Sequence, residues 1–331
     1  MNPWRTNGRE ETLRVWLLVG SVIVASCAWH VFPASAEEPA GDRVVTDSTK
    51  KDCRYEGIGQ KNGGSSALEL FPENDVFRPL WADLKQPQFF ASWQATRIRS
   101  SPREYLNLGT VGFGDNFGLI GKRNGCDGWQ VGILAGLFAQ FDLDGASKDL
   151  INADYVVGIP ISWRSGLFSA RVRFFHQSSH LGDEFLQARP GFNNIGLSYE
   201  ALEAILSLDA PGGWGRVYAG GATAVHIEPS TIDPSSVHWG VELRGRTIAA
   251  PLLAKAIPST RFTPILGADF QAYEALNWTI NSSIIGGVEW SKAGSDRRFR
   301  FLINYYHGFA PWGQFFLTKI EMVGFGLYLS F

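Results

Sequence analysis

The sequence predicts an all-β protein, a transmembrane antiparallel β-barrel of about twelve strands. Three observations lead there. Val323, Phe325, Leu327, Leu329 and Phe331 are apolar at every second position, with Gly324, Gly326, Tyr328 and Ser330 between them. Successive side chains of a strand point to opposite faces, so this segment has one apolar wall and one mixed wall. The same alternation runs upstream as far as Gln88, cut every roughly ten to fifteen residues by turn signals. Finally, a mean hydropathy of -0.06 is too low for a bundle of membrane helices, each of which needs about 20 consecutive apolar residues. A barrel escapes that requirement, because only alternate residues of its strands meet lipid.

The chain of 331 residues divides into four parts. Arg5, Arg9 and Arg14 precede an apolar run from Val15 to Ala25, and Ala34-Ser35-Ala36 offers a small-residue cleavage site. Residues 1–36 are therefore an export signal rather than a spanning helix. Cleavage and lipidation at Cys27 is the alternative, since Val24-Ala25-Ser26-Cys27 resembles a lipoprotein signal box. The exported chain enters an oxidising compartment, where Cys53 and Cys126 form a disulfide candidate if both lie on the same side of the membrane.

Residues 37–66 are polar, rich in Gly, Ser and Lys, and read as a flexible periplasmic leader. Residues 67–87 read as a periplasmic docking segment. There Phe71, Phe77, Leu80 and Trp81 sit on an extended, Pro-punctuated stretch. They can plug the barrel mouth, dock beneath it, or lie in the plane of the inner interface.

The barrel occupies 88–331, with strands expected near 88–98, 106–120, 129–141, 153–163, 167–180, 196–208, 214–226, 236–246, 261–272, 279–290, 298–307 and 315–331. Tyr155, Val157, Ile159, Ile161 and Trp163 oppose Asp154, Gly158 and Ser162. Trp129 to Phe141 alternates likewise, with Leu134 and Phe138 as exceptions. An even strand count puts both termini on the periplasmic side, where turns are short. The connection at 246–260 is long for that side. Trp129, Trp163, Trp214 and Trp290 then mark the inner aromatic girdle, and Trp239, Trp278 and Trp312 the outer one. The interior face carries Arg171, Arg173, Glu242, Arg244, Asp269, Glu289, Arg298 and Arg300, which suits a lumen filled by ion pairs better than an open pore. A secreted β-sandwich is the competing architecture. It would interrupt the apolar faces more often than this sequence does. Thirty Lys and Arg against 32 Asp and Glu give no sign of a nucleic-acid partner.

One constellation can carry chemistry. Arg171 and Arg173 must avoid lipid, where a basic side chain costs about 2–4 kcal/mol at the midplane. Parity then turns His176, Ser178 and His180 outward. Leu202, Ala204, Leu206 and Leu208 mark the lipid face of the next strand, so Ser198 and Glu200 share it. Level pairing near residues 167 and 209 brings Glu200 opposite His176. A hydroxyl, a base and an orienting carboxylate are the parts of a serine acyl hydrolase: Ser178, His176 and Glu200. His180, Asp183, Glu184 and Asn193 are accessory candidates.

A metal is a second reading of this stretch. His176 and His180 lie about 13 Å apart on a strand, too far to share one ion. A loop site using His180 with Asp183 or Glu184 remains, including Ca²⁺ on the carboxylates. The third reading is plain barrel decoration, with Gly182-Asp183 beginning a turn.

The His-x-Ser pattern of His176 and Ser178 resembles outer-membrane phospholipase A and the lipid A deacylases, barrels with lipid-facing sites. In those enzymes an Asn commonly neighbours the motif, whereas Ser179 stands here. The ending at Phe331 resembles the closing strand of bacterial outer-membrane barrels. That likeness implies the Gram-negative outer membrane, its lipids, and the barrel-assembly machinery as partners. The stretch from Leu70 to Asp83, the start at Phe89, and Ser178 to Glu184 together resemble an uncharacterised bacterial outer-membrane family, over about residues 66–331. That family implies location and fold, not activity. A non-enzymatic structural barrel or narrow channel is the alternative function.

Overall fold

Alternation builds the wall. In the computed structural model, which describes Cys53, Tyr55, Ile58 and residues 67–72, 74–99, 105–249, 260–292 and 297–330, outward side chains are large and apolar while inward ones are small, polar or charged. The export signal, most of the leader and Phe331 lie outside the described residues. One sheet contains β1 (Ala67–Leu70), β2 (Phe89–Ile98), β3 (Leu106–Asn124), β4 (Asp127–Asp142), β5 (Leu150–Ser165), β6 (Phe168–Leu181), β7 (Ser198–Asp209), β8 (Gly215–Glu228), β9 (Ser235–Arg244), β10 (Ile248–Ala249), β11 (Thr260–Tyr273), β12 (Ile280–Lys292), β13 (Arg298–Phe309) and β14 (Lys319–Ser330).

Neighbours pair antiparallel in chain order around the ring. β14 returns to β2, and β3 pairs with both β2 and β4. Without the short β1 and β10, twelve strands close the barrel. β1 pairs with Ile120–Arg123 of β3, beyond the stretch of β3 that β2 covers. β10 pairs with β11 at Phe262 and Arg261, beyond the reach of β9. No helix among the described residues is long and apolar enough to cross a membrane, which says nothing against strands crossing it.

Strand β5 shows the physics most cleanly. Tyr155, Val157, Ile159, Ile161 and Trp163 are exposed, while Asp154, Val156, Ser162 and Arg164 are buried. Leu206 of β7 is 69% exposed and Phe168 of β6 61%, so the outer surface is a continuous apolar belt of the kind that lipid covers. Leu134 and Phe138, the exceptions in β4, are buried with Val156, Phe175 and Ala201.

The lumen is occupied by the chain itself. Residues 74–87 run through it between β1 and β2, buried at Val76, Phe77, Leu80, Trp81, Ala82 and Asp83. The backbone of this plug is held by strand side chains. Arg164 Nε donates to the carbonyl of Val76 at 3.0 Å, Arg216 Nη1 to that of Arg78 at 3.0 Å, and the Trp81 N–H donates to Glu242 Oε1 at 2.7 Å. Arg78 pairs with Asp209, and Lys85 with Asp154.

Strand-to-strand ion pairs pack beside the plug. Glu203 accepts from Arg171 at 2.9 Å and Arg173 at 2.6 Å. Glu289, 0% exposed, accepts from Arg244 at 3.0 Å and Arg300 at 2.9 Å, with Arg298 at 3.9 Å. Buried charges occur in pairs because an isolated one loses too much hydration. A disulfide links Cys53 to Cys126 in the β3–β4 turn, with Cα atoms 5.0 Å apart. Just beyond it, Tyr55 is buried against Trp81 and its hydroxyl donates to Glu289 at 3.3 Å.

Two local expectations are corrected. On the plain-decoration reading Gly182-Asp183 begins a turn; the chain instead forms a short helix there, α1 (Asp183–Ala188), whose Phe185 packs edge-on to Phe192 and Phe315. Asp183 and Glu184 occupy its first turn, where the exposed N–H groups favour negative charge. Trp312, expected in the outer girdle, is 7% exposed and belongs to a buried cluster with Phe185, Tyr306 and Ile320. The 310–318 loop folds inward over the end of the lumen, so its tryptophan is turned away from lipid.

Candidate functional site

Parity on β6 decides which residues can meet. Arg171, Arg173, Phe175, Gln177 and Ser179 are buried toward the lumen, while Val172, Phe174, His176, Ser178 and His180 face outward. The β6–β7 ladder then pairs His176 with Glu200 and Ser178 with Ser198. Directly opposed side chains are close enough to bond. His176 Nδ1 lies 2.7 Å from Glu200 Oε1, and both side chains are about two-thirds covered.

A third group joins them. His226 Nδ1 lies 2.9 Å from Glu200 Oε2, so the carboxylate bridges two imidazoles carried by β6 and β8. A β-bulge makes this contact. Glu200 pairs with His226 but Ala201 pairs with Ala224, leaving Val225 as the extra residue. Val225 and His226 consequently both face outward. Simple alternation from Tyr218, Ala222 and Ala224 would send His226 into the lumen, which is why sequence reasoning missed it. The signal available was the polar pair His226 and Glu228 ending an otherwise small and apolar strand.

The hydrogen bonds bear on the tautomer of the two imidazoles. An ionised carboxylate only accepts, so a neutral imidazole bonded to it carries its proton on Nδ1 and leaves Nε2 with a free lone pair. Ser178 lies two residues along the same face, a rise of about 6.6 Å. Among the described residues no hydrogen bond joins Ser178 to His176, although strand side chains lean along the strand and an imidazole can span that gap. Phe174 and Leu202 on the same face continue the apolar belt away from the polar cluster.

The accessory candidates stand apart. His180 is exposed and packs edge-on to Tyr155, with ring centroids 5.7 Å apart. Asp183 and Glu184 are exposed on α1, and Asn193 is exposed in the loop that follows it. No set of three His, Cys, Asp or Glu side chains converges as a metal cage among the described residues. Ser179, which follows the candidate nucleophile, faces the opposite way and bonds Asp154 and Asn152 inside the lumen.

A family model described as a protein of unknown function, DUF1207, matches residues 26–331. The chain belongs to the DUF1207 family. No curated protein matches this DUF1207 chain. Among solved structures, the outer-membrane phospholipase dimer of Salmonella typhi with bound calcium is 11% identical. It has a TM-score of 0.50 and covers 78% of this chain and 94% of its own. Outer-membrane phospholipase A from Escherichia coli is 12% identical at a TM-score of 0.46, covering 74% and 90%. LpxR from Salmonella typhimurium is 11% identical at 0.37, covering 73% and 100%. At such identity the likeness establishes the fold alone. The DUF1207 chain has the barrel fold of Gram-negative outer-membrane proteins, which implies a lipid environment around its apolar belt.

Proposed function

We propose that the outward cluster on β6 and β7 hydrolyses acyl esters of membrane lipids. The observation that supports it is the Nδ1–carboxylate bond of 2.7 Å between His176 and Glu200, with Ser178 next along the same lipid-facing wall. Ser178 Oγ attacks the ester carbonyl carbon while His176 Nε2 takes the hydroxyl proton. That proton passes to the departing alcohol as the ester C–O bond breaks, leaving an acyl-serine. Water, deprotonated by His176, then frees the fatty acid and restores Ser178. Glu200 holds the ring and stabilises the imidazolium formed in each half. An apo enzyme commonly shows its nucleophile and base farther apart than in the substrate complex.

The same reading has the chain exported by residues 1–36 and inserted by the barrel-assembly machinery through β14. A non-enzymatic structural barrel is the second reading, supported by the missing bond between Ser178 and His176. The plugged lumen argues against its channel variant. The deciding experiment is acyl-chain release from phospholipid and lipopolysaccharide by the refolded barrel, with and without Ca²⁺, beside Ser178→Ala. Release that disappears in the variant supports hydrolysis. No release from either lipid, at any Ca²⁺ level, leaves the structural barrel.

A further inference from the structure

Above the plug the lumen is not filled. A cavity of about 190 Å³ lies between the plug residues Asp83 and Lys85 and the loops at the end of the barrel away from the termini. It exists because β8 turns Ala222 and Ala224 inward, where β6 and β7 turn Arg173, Phe175 and Glu203. Its upper walls are apolar, with Leu197, Ile227, Leu276 and Phe309 among them. Its floor is polar, and its rim carries the exposed residues Asp233 and Pro234.

Charge is unbalanced in this space. Four carboxylates line it, Asp83, Glu203, Asp233 and Asp269, against the cations Lys85 and Arg173 and the imidazole of His238. Lys85 is committed to Asp154 and Arg173 to Glu203. Asp269 bonds His238 at 2.5 Å and the Tyr218 hydroxyl at 2.6 Å. Asp83 is 2% exposed and accepts only the Lys85 N–H at 2.9 Å and Gln271 Nε2 at 3.2 Å. No cationic side chain stands within ion-pair distance of it among the described residues. A buried carboxylate with no cation bonded to it is costly to keep ionised, and its place is at the foot of an apolar shaft.

We infer that this cavity binds a small organic cation, an apolar or aromatic body carrying an ammonium group that sits on Asp83. The entrance lies among loops rather than between strands, so the occupant arrives from the aqueous side as a soluble amine. Asp233 at the rim favours the same charge sign. Burial, and then the like charge of Asp269, hold the Asp83 carboxyl above the usual carboxylate range. Other groups acting on it are His238, Arg173 and Arg171, with the phenols of Tyr199 and Tyr273 on the surrounding wall. Without a ligand Asp83 keeps a proton more readily than a free carboxylate does, and a bound ammonium replaces that proton. Binding therefore strengthens as pH rises through the Asp83 titration.

The test uses the full chain in neutral-detergent micelles and isothermal titration with 2-phenylethylammonium, 2-phenylethanol and phenylacetate. The cation is expected to bind at least about tenfold tighter than the alcohol, and the anion weakest. Asp83→Asn erases the preference for the cation, and Ala222→Phe, which fills the shaft while leaving Asp83 in place, abolishes binding of both. Unchanged far-UV circular dichroism and heat-dependent gel mobility certify folding. If Asp83→Asn does not fold, wild-type titrations from pH 5 to 8 decide, because tightening with pH is expected for the cation alone. Equal binding of cation and alcohol, an unchanged preference in Asp83→Asn, or an unaffected Ala222→Phe would each overturn the assignment.

Discussion

The imidazole of His176 and the carboxylate of Glu200 meet at 2.7 Å across a level pair of β6 and β7, on the wall that faces lipid. Neither residue helps to fill the lumen, so their contact is not demanded by the core. On the hydrolase reading, Glu200→Gln lowers kcat by about 10²–10⁴-fold by losing the orienting charge, with KM little changed. Ser178→Ala removes acyl transfer altogether. Steady-state kinetics on a short-chain lipid ester checks both. Normal thermal unfolding of the two variants is part of the expectation, since the cluster lies outside the core.

His226 allows a separate prediction. It bonds the far oxygen of Glu200 and does not reach His176 or Ser178 in any bond of the cluster. His226→Ala leaves Glu200 able to hold His176 through Oε1. Activity in this variant is expected to stay within about tenfold of wild type, well short of the loss in Glu200→Gln. A loss equal to that of Glu200→Gln would make the two imidazoles equivalent and remove the case for His176 as the base.

How much of this was legible in the sequence follows from periodicity. A period of two fixed the faces of β5 and β6, because one lipid-excluded pair, Arg171 and Arg173, sets the parity of a whole strand. It failed at Val225, where one extra residue reverses the count and brings His226 outward. It was silent on residues 74–87, whose path through the lumen depends on isolated side chains such as Arg78 finding Asp209 rather than on any repeat. The α1 helix was hidden for a related reason: six residues are too few to show a helical period, and Phe185 is fixed by aromatic partners from distant loops.

Removing the carboxylate that gathers three arginines should be severe. Glu289 is fully buried and receives Arg244 and Arg300 directly. Glu289→Ala leaves their charges without compensation and costs about 3–5 kcal/mol. Tyr55 also loses the acceptor of its hydroxyl. The measurement is urea unfolding in lipid vesicles followed by tryptophan fluorescence. A variant as stable as wild type would mean that water or a bound anion replaces the carboxylate in that part of the lumen.

The Cys53–Cys126 bond closes a loop of 73 residues around the leader and plug. Long loops lose most chain entropy when crosslinked, and a bridge of this span contributes about 4 kcal/mol in that account. Cys53→Ser is expected to lower the unfolding midpoint and to make the plug segment exchange amide hydrogens faster. Strand amides of β5 and β6, held by neighbours on both sides, should keep most of their protection. Hydrogen exchange read by mass spectrometry separates the two regions.

Asp83 gives the stability of the plug a pH dependence of known sign. Burial first, and Asp269 second, raise its carboxyl above the value it has in the unfolded chain, so the folded protein binds the proton more tightly. Stability contributed by that proton is fully present below the unfolded value of about 3.9 and is lost as pH rises through the folded value. Asp83→Asn keeps an oxygen for the Lys85 N–H and Gln271 but has no charge to bury. The difference in unfolding midpoint, variant minus wild type, should therefore grow in favour of the variant from pH 4 to 8. Thermal scans across that range in one detergent measure it directly. A difference that stays flat, or falls with pH, would show that Asp83 is already ionised and compensated inside the barrel.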